Sequence, residues 1–138
     1  MLARNTPSLV NAAYQPAQFD DSRSLTLEDQ LEVVLANDAE MRSSLALAVS
    51  RVGAKDTYRH QFTRVFGARD SVGAASNPVT PIRLRIALAA YVRSLSALDS
   101  RFDRAVRGGP VAAVSAAERR GFNLFMGKAG CGTCHFAP

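Results

Sequence analysis

The chain has only two cysteines, three positions apart, and a histidine directly follows the second: Cys131-Gly-Thr-Cys134-His135. This string constrains the fold more than any other feature. Two thiols at that spacing reach the two vinyl groups of one porphyrin and form thioethers with it. The next side chain then lies beneath the ring, where its imidazole can ligate the iron. C-x-x-C-H is the c-type haem attachment sequence. His135 as proximal ligand leaves the sixth iron position to decide the chemistry. A second strong ligand gives electron transfer, and an open or labile site permits reaction with peroxide.

Three other uses of these residues compete with haem attachment. A redox C-x-x-C opens a helix after a strand, in a βαβ setting; here the motif follows a helical stretch and no strand signal is apparent. Structural zinc needs four ligands, and without carboxylates only Cys131, Cys134, His135 and the distant His60 are available. Two unmodified cysteines are the third alternative.

The remainder reads as all-α. Residues 1–24, with Pro7, Pro16, Asn5 and Asn11, read as irregular. Thr26 is placed to cap a helix near 27–36, with Asp29 in the capping position and Leu27, Leu31, Val34 and Leu35 at helical spacing. Asn37 or Asp38 is expected to cap a second helix near 39–52, ended by Gly53. A third, near 56–66, carries Tyr58, Phe62, Val65 and Phe66 on one stripe. Residues 67–79 read as a loop. Thr80-Pro81 opens the longest helix, with Pro at its first position; Ile82, Leu84, Ile86, Leu88, Tyr91, Val92 and Leu95 leave it apolar on most sides, so it is expected to be central and largely buried. A short helix is expected at 99–106. Ser115-Ala-Ala-Glu118 is a capping box opening a helix to Met126, where Gly121 and Phe125 share a face. Gly108-Gly109-Pro110 marks the expected boundary between a helical region, 1–109, and the start of a haem domain, 110–138.

Charge is uneven. Residues 1–50 hold three Arg against seven carboxylates, −4, and residues 51–138 hold fourteen Lys or Arg against five, +9. The basic residues are spread along helices with few aromatics beside them, which gives little support to a base-stacking nucleic-acid surface. Two haem propionates would absorb part of the positive charge. No apolar run is long enough to span a membrane. The start, Met1-Leu-Ala-Arg-Asn-Thr-Pro, lacks the apolar stretch of a secretory signal, so either the protein stays in the cytoplasm or its natural start lies upstream.

The stretch from Gly121-Phe-Asn-Leu-Phe-Met through Cys131-Gly-Thr-Cys134-His135 resembles the second haem motif of the bacterial di-haem cytochrome c peroxidases, a family that includes the methylamine-utilisation di-haem enzymes. Phe102-Asp103-Arg104 with Arg107-Gly108 resembles the segment before that motif. Arg4-Asn5-Thr6-Pro7-Ser8-Leu9 with Asn11 is similar to the segment after the family's first haem domain. Tyr58, Phe62 and Val65-Phe66-Gly67 also fit, and the order is collinear over nearly the whole chain.

The resemblance implies two further site residues. The family's distal peroxide pocket uses a Gln and a Glu ten positions apart, and Gln30 and Glu40 match those motifs and that spacing. A carboxylate suits a site where a proton must move between two peroxide oxygens; an amide donates and accepts at once. Read from the residues alone, Glu40 could instead close a capping box with Asn37, and Gln30 is a boundary residue about 40° from Val34 on an ideal helix. His60 falls off the apolar stripe of its helix and is expected at the surface; Met41 and Met126 are expected in the core.

The sequence departs from the family pattern in three places. The first haem motif is absent. The chain stops soon after His135, before the family's Met ligand. Asp20-Asp21-Ser22-Arg23 stands where the family usually has Trp-Asp-Gly-Arg, and Asp20 cannot relay electrons as an indole can. A fragment of a longer periplasmic enzyme is therefore expected. That enzyme would carry haem c, take electrons from a small redox protein such as a cytochrome c or cupredoxin, and reduce hydrogen peroxide to water. An electron-transfer cytochrome without peroxidase activity, or a related di-haem enzyme oxidising a protein substrate, are the alternatives. Phe122, Leu124, Phe125 and Met126 would lack their usual cover in such a fragment, so self-association through this helix is expected.

Overall fold

The computed structural model describes residues 5–67, 77–109 and 114–135. Arg4, most of the 67–79 loop, Pro110 and the last three residues of the sequence lie outside the described residues. The described residues form six α-helices and two short 3-10 turns, with no strand beyond one isolated bridge between Gln18 and Ser24. The all-α expectation holds.

Helix α1 (Leu27–Ala36) starts where its cap predicts: the Thr26 side chain accepts from the Asp29 backbone N–H and donates to its carboxylate at 2.7 Å. The second helix starts later than the sequence suggests. α2 spans Leu45–Gly53 and is capped by Ser44, whose hydroxyl accepts from the Leu47 N–H. Residues 38–41 form turns instead. Asn37 spends its side chain on that turn, and Arg42 at φ 40° lies in the left-handed region, which no continuous helix can pass through.

Helix α3 (Asp56–Phe66) buries Phe62 and half-buries Phe66, while Tyr58 and Val65 from the same stripe stay exposed. Helix α4 (Pro81–Ser94) has the expected Thr80 cap and N-terminal proline. It is less buried than its composition suggests. Leu84, Ala89 and Val92 are buried, but Ile82 and Tyr91 are 62% exposed, and Ile86 and Leu88 are also exposed. Described neighbours cover it at Leu84 and Ala87 and again at Ala89 and Val92, and leave Ile86 and Leu88 between them exposed. Met41 and Met126, expected in the core, are both exposed, because each sits in or next to a turn rather than on a packed stripe.

The chain divides into two compact units, one ending at Ser96 and the other starting at Ala97. Helix α5 (Arg101–Val106) thus belongs with α6 (Ala116–Met126), ahead of Gly108-Gly109. In the first unit α4 serves two cores. Ala89 and Val92 pack with Leu27 of α1 and Ala12 of a 3-10 turn, Ala12–Tyr14. Leu84 packs with Phe62 and Val79, flanked by Leu45, Val49 and Val52 of α2. Antiparallel ion pairs fix α1 on α4: Arg93 grips both Glu28 oxygens at 2.7 and 2.9 Å, and Arg85 meets Glu32 at 2.9 Å.

The N-terminal segment is tied to the same frame. The Asn11 N–H donates to the Leu95 carbonyl, and buried Gln18 donates from its amide to the Ala12 carbonyl. Phe19 and Ser22 have positive φ, 65° and 56°, and fold residues 18–24 into a tight reversal closed by Gln18 N–H to Ser24 C=O at 2.7 Å.

The bidentate Arg93 pair holds the Glu28 carboxyl below its ordinary value near 4.5. A depressed acid stabilises the fold fully above the unfolded value, and that contribution is lost as pH falls through the lower folded value. With Arg93 about half exposed, the pair is worth roughly 0.5–1 kcal/mol. Glu28→Gln should lower stability by about that amount at pH 7 and by less at pH 2.5, where protonation of Glu28 weakens the pair. Urea unfolding at the two pH values is the check.

Candidate functional site

Four described stretches of the first unit border a cavity of about 780 Å3, within the roughly 300–1,000 Å3 range of small-molecule and cofactor sites. Helix α1 supplies Leu27, Gln30, Leu31 and Val34. Their i, i+3, i+4, i+7 spacing puts them on one face of the helix. Asn37 and Glu40 follow from the turn after α1, so residues ten positions apart line one space. Asn5, Thr6, Pro7 and Leu9 form a second wall, and Phe19, Asp20 and Arg23 of the tight reversal form a third, with Val92 of α4 completing the lining. The walls are largely apolar, with a few polar groups among them, as small-molecule and cofactor sites generally are.

The polar groups are held differently. Glu40 is half-buried, and its Oε1 accepts from the Asn37 amide at 3.0 Å. Gln30 is half-buried, and its side-chain amide has no hydrogen-bond partner among the described residues. Arg23 lays its guanidinium over the Phe19 ring, 3.5 Å from the centroid, and donates to Asp21 at 2.8 Å. That bond holds the Asp21 carboxyl below the usual range. Ser22 takes the left-handed conformation, φ 56°, which Gly adopts free of strain and other residues rarely do.

The cysteine motif sits in the second unit, at the end of α6. The predicted capping box is present, with Ser115 and Glu118 bonded reciprocally. Past Gly127 the chain turns at Gly130, φ 67°, into the 3-10 turn Cys131–Thr133. The Cys131 carbonyl accepts from the N–H groups of both Cys134 and His135, at 3.2 and 2.9 Å. This closure gathers both thiols and the imidazole on one turn. Both thiols are free and exposed, and the His135 ring lies 6.3 Å from the Phe125 ring. Phe122, Leu124, Phe125 and Met126 are 36–54% exposed beside it.

These residues fit a covalently held porphyrin: two accessible thiols, an accessible imidazole, and apolar side chains for the ring to cover. They fit structural zinc poorly: that ion takes four ligands, and although the two thiols and the imidazole share one turn, no group of three or more His, Cys, Asp or Glu side chains is placed to hold a metal ion among the described residues. His60 is exposed on α3, as expected. Gly121 has open space where a side chain would stand.

The family profile described as "Di-haem cytochrome c peroxidase" matches residues 1–110. The chain belongs to the di-haem cytochrome c peroxidase family. It is 36% identical over 134 residues to the methylamine utilization protein MauG of Methylorubrum extorquens, covering 97% of this chain and 36% of that protein. It is 34% identical to the cytochrome c551 peroxidase of Nitrosomonas europaea, with 97% and 37% covered, and 32% identical to that of Pseudomonas aeruginosa, with 96% and 36% covered. A solved structure, of a MauG-like protein associated with microbial copper homeostasis, matches with a TM-score of 0.80 at 29% identity, covering 97% of this chain and 38% of that one. The chain thus spans a little over a third of the length of these family members.

Sequence reasoning missed the Arg23–Phe19 stack and the packing of Gly132. The stack depends on two positive φ angles that no pattern announced. Gly132 fills one of the x positions of the motif, which the thioether chemistry leaves open. It is buried, and a Cβ there would fall 2.5 Å from the Met126 sulfur and 3.3 Å from the Met126 Cα. Gly132→Ala should swing the flexible, exposed Met126 thioether aside and press on the Met126 Cα, lowering stability by about 1 kcal/mol or less. Thermal unfolding, read beside the fraction of chain carrying covalent haem, tests this; an unchanged midpoint would contradict the packing.

Proposed function

We propose that this chain forms the distal wall of a peroxidatic haem pocket and the attachment turn of a second haem, within a periplasmic di-haem peroxidase. The reaction is hydrogen peroxide plus two protons and two electrons giving two waters, with electrons entering from a small redox protein at the second haem. The observation that carries the reading is the convergence of Gln30 and Glu40 on one apolar-walled cavity.

Haem iron, when bound, supplies the redox chemistry at the O–O bond. The chain's own residues do the rest. Glu40 takes a proton from one peroxide oxygen and returns it to the other, a task for a carboxylate that keeps one oxygen unencumbered. Gln30 donates from its NH2 and accepts at its carbonyl, and so orients the substrate. The apolar walls formed by Leu27, Leu31 and Val34 limit water, which strengthens both hydrogen bonds. In the second unit, Cys131 and Cys134 would hold the porphyrin and His135 the iron, with Phe125 packed beside the ring.

Asp20 favours a second reading, an electron-transfer protein without peroxidase activity, because a carboxylate on the cavity wall cannot pass electrons as the family's usual indole can. One experiment addresses both. The full-length protein, produced with periplasmic cytochrome maturation, should carry covalent haem at Cys131 and Cys134 by mass and turn over peroxide. Glu40→Gln should lower kcat by about 10²–10⁴-fold with haem content unchanged. Wild-type protein with full haem and no peroxide turnover would favour the second reading. Turnover indifferent to Glu40→Gln would overturn the assignment.

A further inference from the structure

Glu40 is not on a helix. It stands in a turn, and a carboxylate on a turn has many rotamers unless something holds it. The holding contact comes from Asn37, the residue that ends α1. The Asn37 N–H still bonds back to the Val33 carbonyl, so its backbone belongs to the helix frame. Its carbonyl accepts from two turn amides, Glu40 N–H and Arg42 N–H, both at 3.0 Å. Its side-chain Oδ1 accepts from the Ala39 N–H at 3.0 Å. That last bond decides which way the amide faces, because only the oxygen can accept. The Nδ2 is thereby aimed at Glu40 Oε1, 3.0 Å away. Both side chains line the cavity.

We infer that Asn37 is a positioning residue for Glu40: it anchors one carboxylate oxygen to the end of α1 and leaves the other for the substrate proton. This rests on the proposed role of Glu40. The choice of an amide has a physical logic. A Lys or Arg at this place would favour the ionised carboxylate strongly and weaken it as a proton carrier. A neutral donor fixes geometry and does not itself titrate in the working range. The charged groups around the carboxylate are Asp38 and Arg42 in the same turn, which pair with each other at 3.9 Å, and Asp20 and Arg23 across the cavity.

Asn37→Asp separates the two jobs of this side chain. It keeps the acceptor for the Ala39 N–H, and hence the turn, but replaces the donor to Glu40 with a second acid. Two carboxyls at that distance cannot both ionise freely. The haem-loaded full-length protein, labelled with 13C at the glutamate carboxyls, gives the readout, with the Glu40 signal identified by its loss in Glu40→Gln. In Asn37→Asp the Glu40 carboxyl should titrate at least about one pH unit higher than in the wild type, with the helical circular dichroism unchanged. Peroxide kcat should fall about tenfold or more at fixed KM, with its pH optimum moved upward. Adding Asn37→Asp to Glu40→Gln should cost nothing further.

Asn37→Ala, which removes donor and acceptor together, is the second variant should the Asp form fold poorly; it too should lower peroxide kcat about tenfold at fixed KM. A Glu40 titration identical in wild type and Asn37→Asp, or a peroxide kcat unchanged in Asn37→Ala, would overturn the positioning role. A shifted titration with turnover indifferent to Glu40→Gln would instead leave the positioning intact and overturn the catalytic role of Glu40.

Discussion

The contact between α1 and α4 at Ala89 is the constraint on which the first unit depends. Ala89 is fully excluded from solvent, and its small side chain lets Leu27 and the Ala12 turn close over it together with Val92. The Glu28–Arg93 and Glu32–Arg85 pairs flank this seam and fix the register of the two helices. Val92 is shared between the seam and the cavity lining. The face of α1 that carries Gln30 is therefore set by the packing of its neighbouring face. The Asn11–Leu95 hydrogen bond brings the N-terminal wall onto the same frame. Each side of the cavity is thus attached, directly or through one hydrogen bond, to one helix pair.

Charge is used locally, and the sequence-wide imbalance understates this. Glu28 and Glu32 of α1 meet arginines of α4, although the two helices lie in the acidic and basic parts of the chain. Arg83, buried, is satisfied in part by the carbonyls of Pro78 and Gly67 and sits over the Phe66 ring, so it clasps the backbone at both sides of the 67–79 connection. In the second unit, Arg101 pairs with Glu118 and Phe102 packs on Phe122, joining α5 to α6. Phe125 and the motif turn stay accessible. The rigid, well-bonded region frames the proposed proton chemistry, and the accessible turn presents the attachment chemistry.

Where a local signal was sufficient, the sequence was readable. Thr26, Thr80, Ser115 and the Pro81 start marked helices that the structure confirms to within a residue, because a cap is a contact between neighbours in sequence. The second helix starts later than its pattern suggests because Asn37, a plausible cap, is engaged by the turn that carries Glu40, and Ser44 caps in its place. The exposed side of α4 was unreadable for a different reason: an all-round apolar helix announces burial, but not which neighbours supply it. Gln30 and Glu40 were found by resemblance, since a Gln at the edge of a stripe and a Glu in a turn carry no chemical signature of their own. Their shared cavity depends on the 18–24 reversal, whose left-handed Phe19 and Ser22 no propensity would suggest.

The central claim is that the cavity beside α1 is the distal side of a haem, with Glu40 and Gln30 facing the reacting ligand. The most direct test is a crystal structure of the full-length haem-loaded protein soaked with cyanide, an anion that occupies the position peroxide would take. The account predicts cyanide on an iron bordering this cavity, within hydrogen-bonding reach of the Gln30 amide and the Glu40 carboxyl. Cyanide bound only elsewhere, with the space beside Glu40 filled by protein or open to bulk water, would contradict it.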